Sequence, residues 1–229
     1  MTAFRVPEVR LGRVRPLGPK GVPSGIDKRP VPGPVMARAT GLERDEQGDR
    51  RHHGGPDKAI HAYAIGNHPL WAADLPELAA LFRPGAFGEN LVVEGAAETD
   101  ICLGDRWRVG GALLEVSQGR QPCWKLNLRF GRPDMARLVQ TTGRTGWYFR
   151  VIEAGEIAPG DAASIAARPH PDWTLARVSR LLYHDRLNRA DPSQLASLPG
   201  LPESWRNLAQ ARLATGEAES WSRRIETPG

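Results

Sequence analysis

The chain has 229 residues, 40% of them hydrophobic and 25% charged, with a net charge of +5. That is the balance of a folded globular protein, built as one large domain or one domain with a small appendage, and it excludes an extensively disordered chain. No run of about 18 apolar residues exists and Met1 to Arg15 lacks the apolar core of a secretory signal, so a cytoplasmic protein without membrane association is expected.

With only Cys102 and Cys123, a disulfide framework is not expected and a four-cysteine zinc site is impossible within one chain. The arginines are scattered among acidic residues and form no basic block, so stable nucleic-acid binding is not expected.

Twenty prolines and twenty-five glycines imply many turns, as in a sheet-rich domain. Val31 to Val35 reads as an irregular approach to a strand, because proline cannot donate to a ladder. Ala59 to Ile65 reads as a buried strand. Trp71 to Phe82 has helical spacing interrupted at Pro76. Asn90 to Val93, Arg106 to Val109 and Leu113 to Ser117 read as strands, the last two joined at Gly110-Gly111, and Trp147 to Ile152 is a further β-prone run. Several closely spaced strands with few helices predict a barrel or sandwich.

The pattern changes at Arg168-Pro169-His170-Pro171. Asp172 is placed to cap a helix from Trp173 to about Asp185, Asp191-Pro192 opens a second and Pro202 a third. The resulting division is 1–168 for the main domain, 169–215 for a small three-helix bundle and 216–229 for a frayed tail.

Two segments carry chemistry. His52-His53-Gly54-Gly55-Pro56-Asp57-Lys58-Ala59-Ile60-His61 gathers imidazoles, a carboxylate and an ammonium around a Gly-Gly step, where the backbone can approach a ligand closely. Ser117-Gln118-Gly119-Arg120-Gln121-Pro122-Cys123-Trp124-Lys125 sets one thiol between two cationic side chains, a setting that favours a thiolate able to attack an electrophile or bind a soft metal. Cys102, in an apolar stretch, reads as packing, and His52 as surface. Asp57 fits turn chemistry, or the orientation of His53 or Lys58. Trp124 and Trp147 flank the segment and are candidates for walling a flat substrate.

The blocks His53-Gly54-Gly55-Pro56-Asp57-Lys58-Ala59-Ile60-His61, Phe87-Gly88-Glu89-Asn90-Leu91, Gly104-Asp105 and Val116-Ser117-Gln118 through Arg120-Gln121-Pro122-Cys123 together resemble the MOSC domain, in that family's order. With the three-helix tail and its Leu198-Pro199-Gly200-Leu201-Pro202 centre, the chain is specifically similar to the bacterial YiiM type. The resemblance spans about residues 10 to 215.

It implies a mainly β fold, a MOSC-type β-barrel with peripheral helices and a small C-terminal three-helix bundle. It implies the molybdenum cofactor, molybdenum held by molybdopterin, and not pyridoxal phosphate, with Cys123 as the metal ligand; a thiolate suits the soft ligand set of a pterin dithiolene. Lys28, His53, Lys58, His61, Asn90, Ser117, Arg120 and Arg144 are the implied cofactor contacts, and His61 or His53 the implied proton relay beside the catalytic Cys123.

The implied activity is reduction of N-hydroxylated compounds, including hydroxylamino purines, to amines. The chain has neither a dinucleotide fingerprint nor a cysteine set for an iron–sulfur cluster, so electrons are expected from a separate flavin reductase. Three other readings stay open: a cofactor or sulfur carrier without turnover, a hydrolase using Cys123 with His53 or His61 and Asp57, and a zinc hydrolase using His52, His53 and His61. A homodimer is compatible with the sequence, and the helical tail is a candidate for docking the reductase, closing the pocket or making a dimer contact.

Overall fold

The computed structural model describes residues 3–49, 53–185, 188 and 190–228. Thirteen strands occur among them: β1 (Ala3–Gly12), β2 (Arg15–Leu17), β3 (Val22–Ser24), β4 (Lys28–Pro30), β5 (Val35–Arg38), β6 (Gly41–Leu42), β7 (Ile60–Ala64), β8 (Leu91–Glu94), β9 (Arg106–Val109), β10 (Ala112–Gly119), β11 (Trp147–Glu153), β12 (Gly155–Ile157) and β13 (Asp161–Ala167). Seven of them close a ring in the order β1, β13, β9, β10, β11, β7, β8 and back to β1. All ring pairs are antiparallel except β7 with β8. Closure removes the free edges of the sheet.

The sequence explains the ring locally. In β1, Phe4 and Val6 point into the core while Arg5 faces out, the period-two alternation of a half-buried strand. Its pairing with β8 shifts register between Arg5 and Glu8, at Pro7, which has no N–H to give the ladder. The strand then resumes with Val9 inward and lends its far end to β4. β7 is buried at all five positions, as its continuous apolar run requires, because helices cover its outer side.

The parallel pair needs a crossover, and the chain from β7 to β8 supplies one with α1 (Asn67–Asp74) and a 3-10 turn at Pro76–Leu81. The sequence placed one helical stretch broken at Pro76; the structure has the break there and starts the helix earlier. Two helices that periodicity did not reveal, α2 (Lys125–Phe130) and α3 (Met135–Thr142), follow Cys123. With the crossover they form a second core outside the ring, where Trp71, Phe82, Phe87, Phe130, Leu126 and Val139 pack around Tyr63. Tyr63 and Phe87 stack with centroids 4.4 Å apart.

Beyond β13 come α4 (Leu175–Tyr183), α5 (Ala190–Ser197) and α6 (Glu203–Thr215). The first is capped by Thr174, whose hydroxyl accepts from the Arg177 amide, and not by Asp172 as the sequence suggested. Arg212, buried on α6, donates to the carbonyls of Leu181 and Leu182, the C-terminal groups that α4 leaves unpaired, and pairs with Glu219. Trp173, Leu175, Val178, Leu195, Leu201 and Trp205 join the same apolar cluster as the barrel interior. The bundle therefore shares the main core.

The expectation of a frayed tail is corrected. A last turn, α7 (Ser222–Ile225), packs Ile225 into the second core, and Asn127 on α2 donates to the Ile225 carbonyl at 2.9 Å. Burial of one isoleucine and an inter-segment hydrogen bond oppose fraying.

Candidate functional site

A cleft holding about 590 Å³ of empty space, measured to its open mouth, lies where the loops after β3, β6 and β10 meet the start of β7. Of the residues singled out from the sequence, Lys28, His53, Lys58, His61, Asn90, Arg120 and Cys123 line it, although they are spread over 96 positions of the chain. Ser117 and Arg144 do not.

Cys123 is a free, buried thiol on the loop between β10 and α2. Arg120 stands at the start of the same loop, its amide held by the Gly146 carbonyl at 2.9 Å, and its Nη1 is buried without a hydrogen-bond partner. Lys125 follows on α2, where its ammonium donates to the Pro23 carbonyl at 2.8 Å. Lys58 sits at the end of the 3-10 turn Pro56–Lys58, with burial lowering its pKa. The thiol therefore faces a cleft with cations on several sides.

The two imidazoles are held neutral. Burial comes first, and the Arg120, Arg224, Lys125 and Lys58 charges add to it, bringing His53 down to about 3. His61, wholly buried on β7, is driven well below the ordinary histidine range by burial and then by Arg120, with the backbone of Gly88 and Thr145 opposing the shift, and its Nε2 has no well-formed hydrogen bond. In the free protein, surrounding positive charge and loss of water both disfavour the imidazolium.

Lys28 carries less free charge than expected. Its ammonium makes a buried pair with Asp45, 2.5 and 2.6 Å from the two carboxylate oxygens, which also accept from the Gly12 amide and the Asn90 side chain. Burial lowers the Lys28 pKa and Asp45 opposes that. Asn90 faces the cleft with its amide already engaged: Oδ1 accepts from the His61 amide at 3.2 Å, and Nδ2 donates to Asp45 and the Arg10 carbonyl. It joins β7 to the Lys28–Asp45 pair.

Ser117 lies behind the wall. Its hydroxyl donates to the Asp57 carbonyl at 2.5 Å, and it lies 3.1 Å from the Tyr148 carbonyl, at a bulge between β10 and β11, so it fastens the Lys58 turn to the barrel. Asp57 itself pairs with Arg150, and its negative charge also acts on Lys58, opposing the effect of burial there. Arg144 is corrected outright: its guanidinium lies 2.6 Å from Asp74 and 5.0 Å over the Trp71 ring, lining a different cleft with Glu98 and His184. Trp147 is buried in the barrel interior and Trp124 is absent from the cleft wall, so neither walls a substrate. His52 lies outside the described residues.

Sequence reasoning missed Asp45 and Tyr148. Tyr148 was findable: in β11 it alternates with Trp147 and Phe149, which face the core, so it points the other way, its ring 5.2 Å from that of His61. Nothing in the polar stretch from Glu43 to Asp49 distinguishes Asp45. Two glycines let that stretch reach the cleft, since a Cβ on Gly25 would sit 2.2 Å from the Glu46 carbonyl oxygen and one on Gly48 would sit 2.7 Å from Ser24 Cα.

The residues fit a molybdopterin-type group. One side offers a thiol and cations, two of whose neighbours are buried polar atoms with no partner, Arg120 Nη1 and His61 Nε2. Asp45 and Glu46 also line the cleft, their carboxylates already engaged, Asp45 by Lys28, Gly12 and Asn90 and Glu46 by Arg13 and the Val14 amide. A ligand with an anionic group and a soft metal matches the thiol and the buried, unpaired nitrogens. No cluster of three His, Cys, Asp or Glu side chains able to hold a metal by themselves occurs among the described residues, so such a metal must bring most of its own ligands.

Comparison with known proteins agrees with this architecture. The MOSC domain profile matches residues 49–164, and a YiiM-like, 3-alpha helix domain profile matches residues 173–216. The chain belongs to the MOSC family, YiiM type. Protein YiiM of Escherichia coli is 39% identical over 90% of this chain and 92% of its own. The crystal structure of YiiM from Escherichia coli superposes with a TM-score of 0.80, at 35% identity, over 94% of this MOSC protein and all of that chain. A Gibberella moniliformis protein named Reductase is 37% identical over 90% of this chain, which corresponds to 37% of its own length. The MOSC barrel with peripheral helices and a three-helix C-terminal unit is thus the fold expected from the sequence. No helix among the described residues is long and apolar enough to cross a membrane.

Proposed function

We propose that this MOSC protein is a molybdenum cofactor-dependent oxidoreductase that reduces N-hydroxylated compounds, hydroxylamino purines among them, to amines. The observation that carries the reading is the convergence of Cys123 with Arg120, Lys58 and Lys125 on one cleft in which Arg120 Nη1 and His61 Nε2 are buried and unpartnered. A thiol so placed suits a soft metal, and the cations suit the anionic part of its cofactor.

When bound, the group would supply two-electron oxygen-atom chemistry, so that reduction of the N–O bond consumes two electrons and two protons and releases water. Cys123 would hold the metal, and Arg120, Lys58 and Lys125 would hold the anion. His53 and His61, neutral in the free protein, would donate or accept hydrogen bonds at the substrate, and gain basicity once an anion offsets the surrounding cations. Asn90, Asp45 and Lys28 would keep the wall rigid. Electrons are assigned to a separate flavin reductase; the name of the fungal relative supports redox chemistry in this family branch.

The test is the molybdenum and pterin content of protein purified from a cofactor-producing host, beside Cys123→Ser. Near-stoichiometric metal in the parent and its loss from the variant are expected, followed by turnover of hydroxylamino purines with a flavoprotein donor. Absence of pterin from both proteins, in a host shown to make it, would overturn the proposal. Stable loading with no turnover under any donor would favour the carrier reading.

A further inference from the structure

We propose that Arg224, four residues before the last described position and outside both matched profiles, is a positioning residue for Cys123. Its side chain reaches back across the chain to the loop that carries the thiol. Nε donates to the Pro122 carbonyl at 3.1 Å and Nη2 to the Gln121 carbonyl at 3.3 Å, the two residues immediately before Cys123. From the other side of the thiol, the Trp124 amide donates to the Arg224 carbonyl at 2.8 Å. One residue thus brackets Cys123 through its side chain and its backbone.

The bracket is anchored independently. Ile225 is buried in the second core, Asn127 on α2 donates to the Ile225 carbonyl at 2.9 Å and to the Thr227 hydroxyl at 3.2 Å, and Trp221 packs edge-on against Tyr183 at 5.3 Å. Such a frame is needed because the loop from Arg120 to Trp124 lies between the end of β10 and the start of α2 and belongs to no ladder. Its Pro122 cannot donate a backbone hydrogen bond, so the carbonyls of Gln121 and Pro122 are handles by which the loop can be held. A guanidinium has the planar, forked donors to hold two carbonyls at once, which an ammonium does not. The inference deepens the proposed function, but its test reads the thiol directly and stands whether or not the protein binds molybdenum.

The test compares the parent with Arg224→Ala, Arg224→Lys and the neighbouring Arg223→Ala, as full-length protein, by the rate of iodoacetamide alkylation at each cysteine, followed by peptide mass spectrometry. Cys102, buried against Asp105 and the Pro171 carbonyl, reports general opening of the fold. Loss of two hydrogen bonds that order a loop should raise Cys123 alkylation about tenfold in Arg224→Ala and nearly as much in Arg224→Lys, with Cys102 unchanged. Arg223→Ala should behave as the parent. An unchanged Cys123 rate in both Arg224 variants, or equal acceleration of Cys102 and Cys123, overturns the proposal. Molybdenum retention is measured in parallel: a parent that never loads speaks against the functional reading alone, and loss of retention in Arg224→Lys with Cys102 still protected joins the two.

Discussion

At the scale of single residues, the cleft is defined by buried positive charge acting on its imidazoles. His53 makes the point measurable. Its pKa, pushed down to about 3 by burial and by Arg120, Arg224, Lys125 and Lys58, lies below the unfolded value, so the unfolded chain binds the extra proton between the two. Stability from this group is fully present above about pH 6.5 and is lost as pH falls toward 3. An anion in the cleft offsets the same cations and raises the pKa, so binding of inorganic pyrophosphate should tighten as pH drops within that window. Histidine-selective NMR titration with and without pyrophosphate measures both effects, and a bound anion that leaves the His53 titration where it was would show that the cations do not converge on it. Much of this was legible in the sequence, because His53, Lys58, Arg120 and Cys123 sit in short motifs whose residue types have one natural use in common. Arg144 was not. Its surroundings read as a basic turn, and only the fold reveals that Asp74 and Trp71, both on α1, hold it elsewhere.

At the scale of elements, strands were easier to read than helices. β9 and β11 announce themselves by alternation and β-branched or aromatic residues, and Gly110-Gly111 marks the turn between β9 and β10. α2 and α3 are six and eight residues long and do most of their packing through aromatic and apolar side chains buried in the second core, so neither shows a long periodic stripe. The tail was misjudged because α7 has four residues and no pattern at all; its order comes from Ile225 and from bonds to α2. One glycine joins elements and site more tightly than any motif suggested. Gly146 opens β11 at φ +69°, and a Cβ there would lie 2.3 Å from the Ala62 carbonyl oxygen and 2.8 Å from His61 Nε2. Gly146→Ala therefore forces β11 away from β7 at the point where the cleft begins. We expect a loss of more than about 2 kcal/mol in urea unfolding, from strain and displaced pairing together, and a variant as stable as the parent would mean that the two strands can part there at little cost.

At the scale of the whole molecule, Arg150 connects the barrel, the Lys58 turn and the helical bundle. Its guanidinium lies 2.5 Å from Asp57 and 2.9 Å from Glu115 and donates to the Gly200 carbonyl at 2.7 Å. Arg150→Met should cost about 1–2 kcal/mol, since it removes the partner of a part-exposed Asp57 and the hydrogen bond to the Gly200 carbonyl while Glu115 keeps Arg106, and hydrogen exchange should speed up at both Lys58 and Leu201. Acceleration at only one of them would show that the bundle and the cleft are held separately. The ring has a further consequence, in time. Because β1 pairs with β13, aligning Ala3 with Ser164, β1 has no barrel partner on that side until β13 has also emerged from a ribosome. Contacts that distant in sequence are slow to form, since the loop entropy must be lost before the pairing is gained. The ring should thus be sealed last, with Lys28, His61 and Cys123 drawn toward a common cleft only as it seals, so that a nascent chain has every ligand-facing residue synthesised before it has anywhere to bind a ligand.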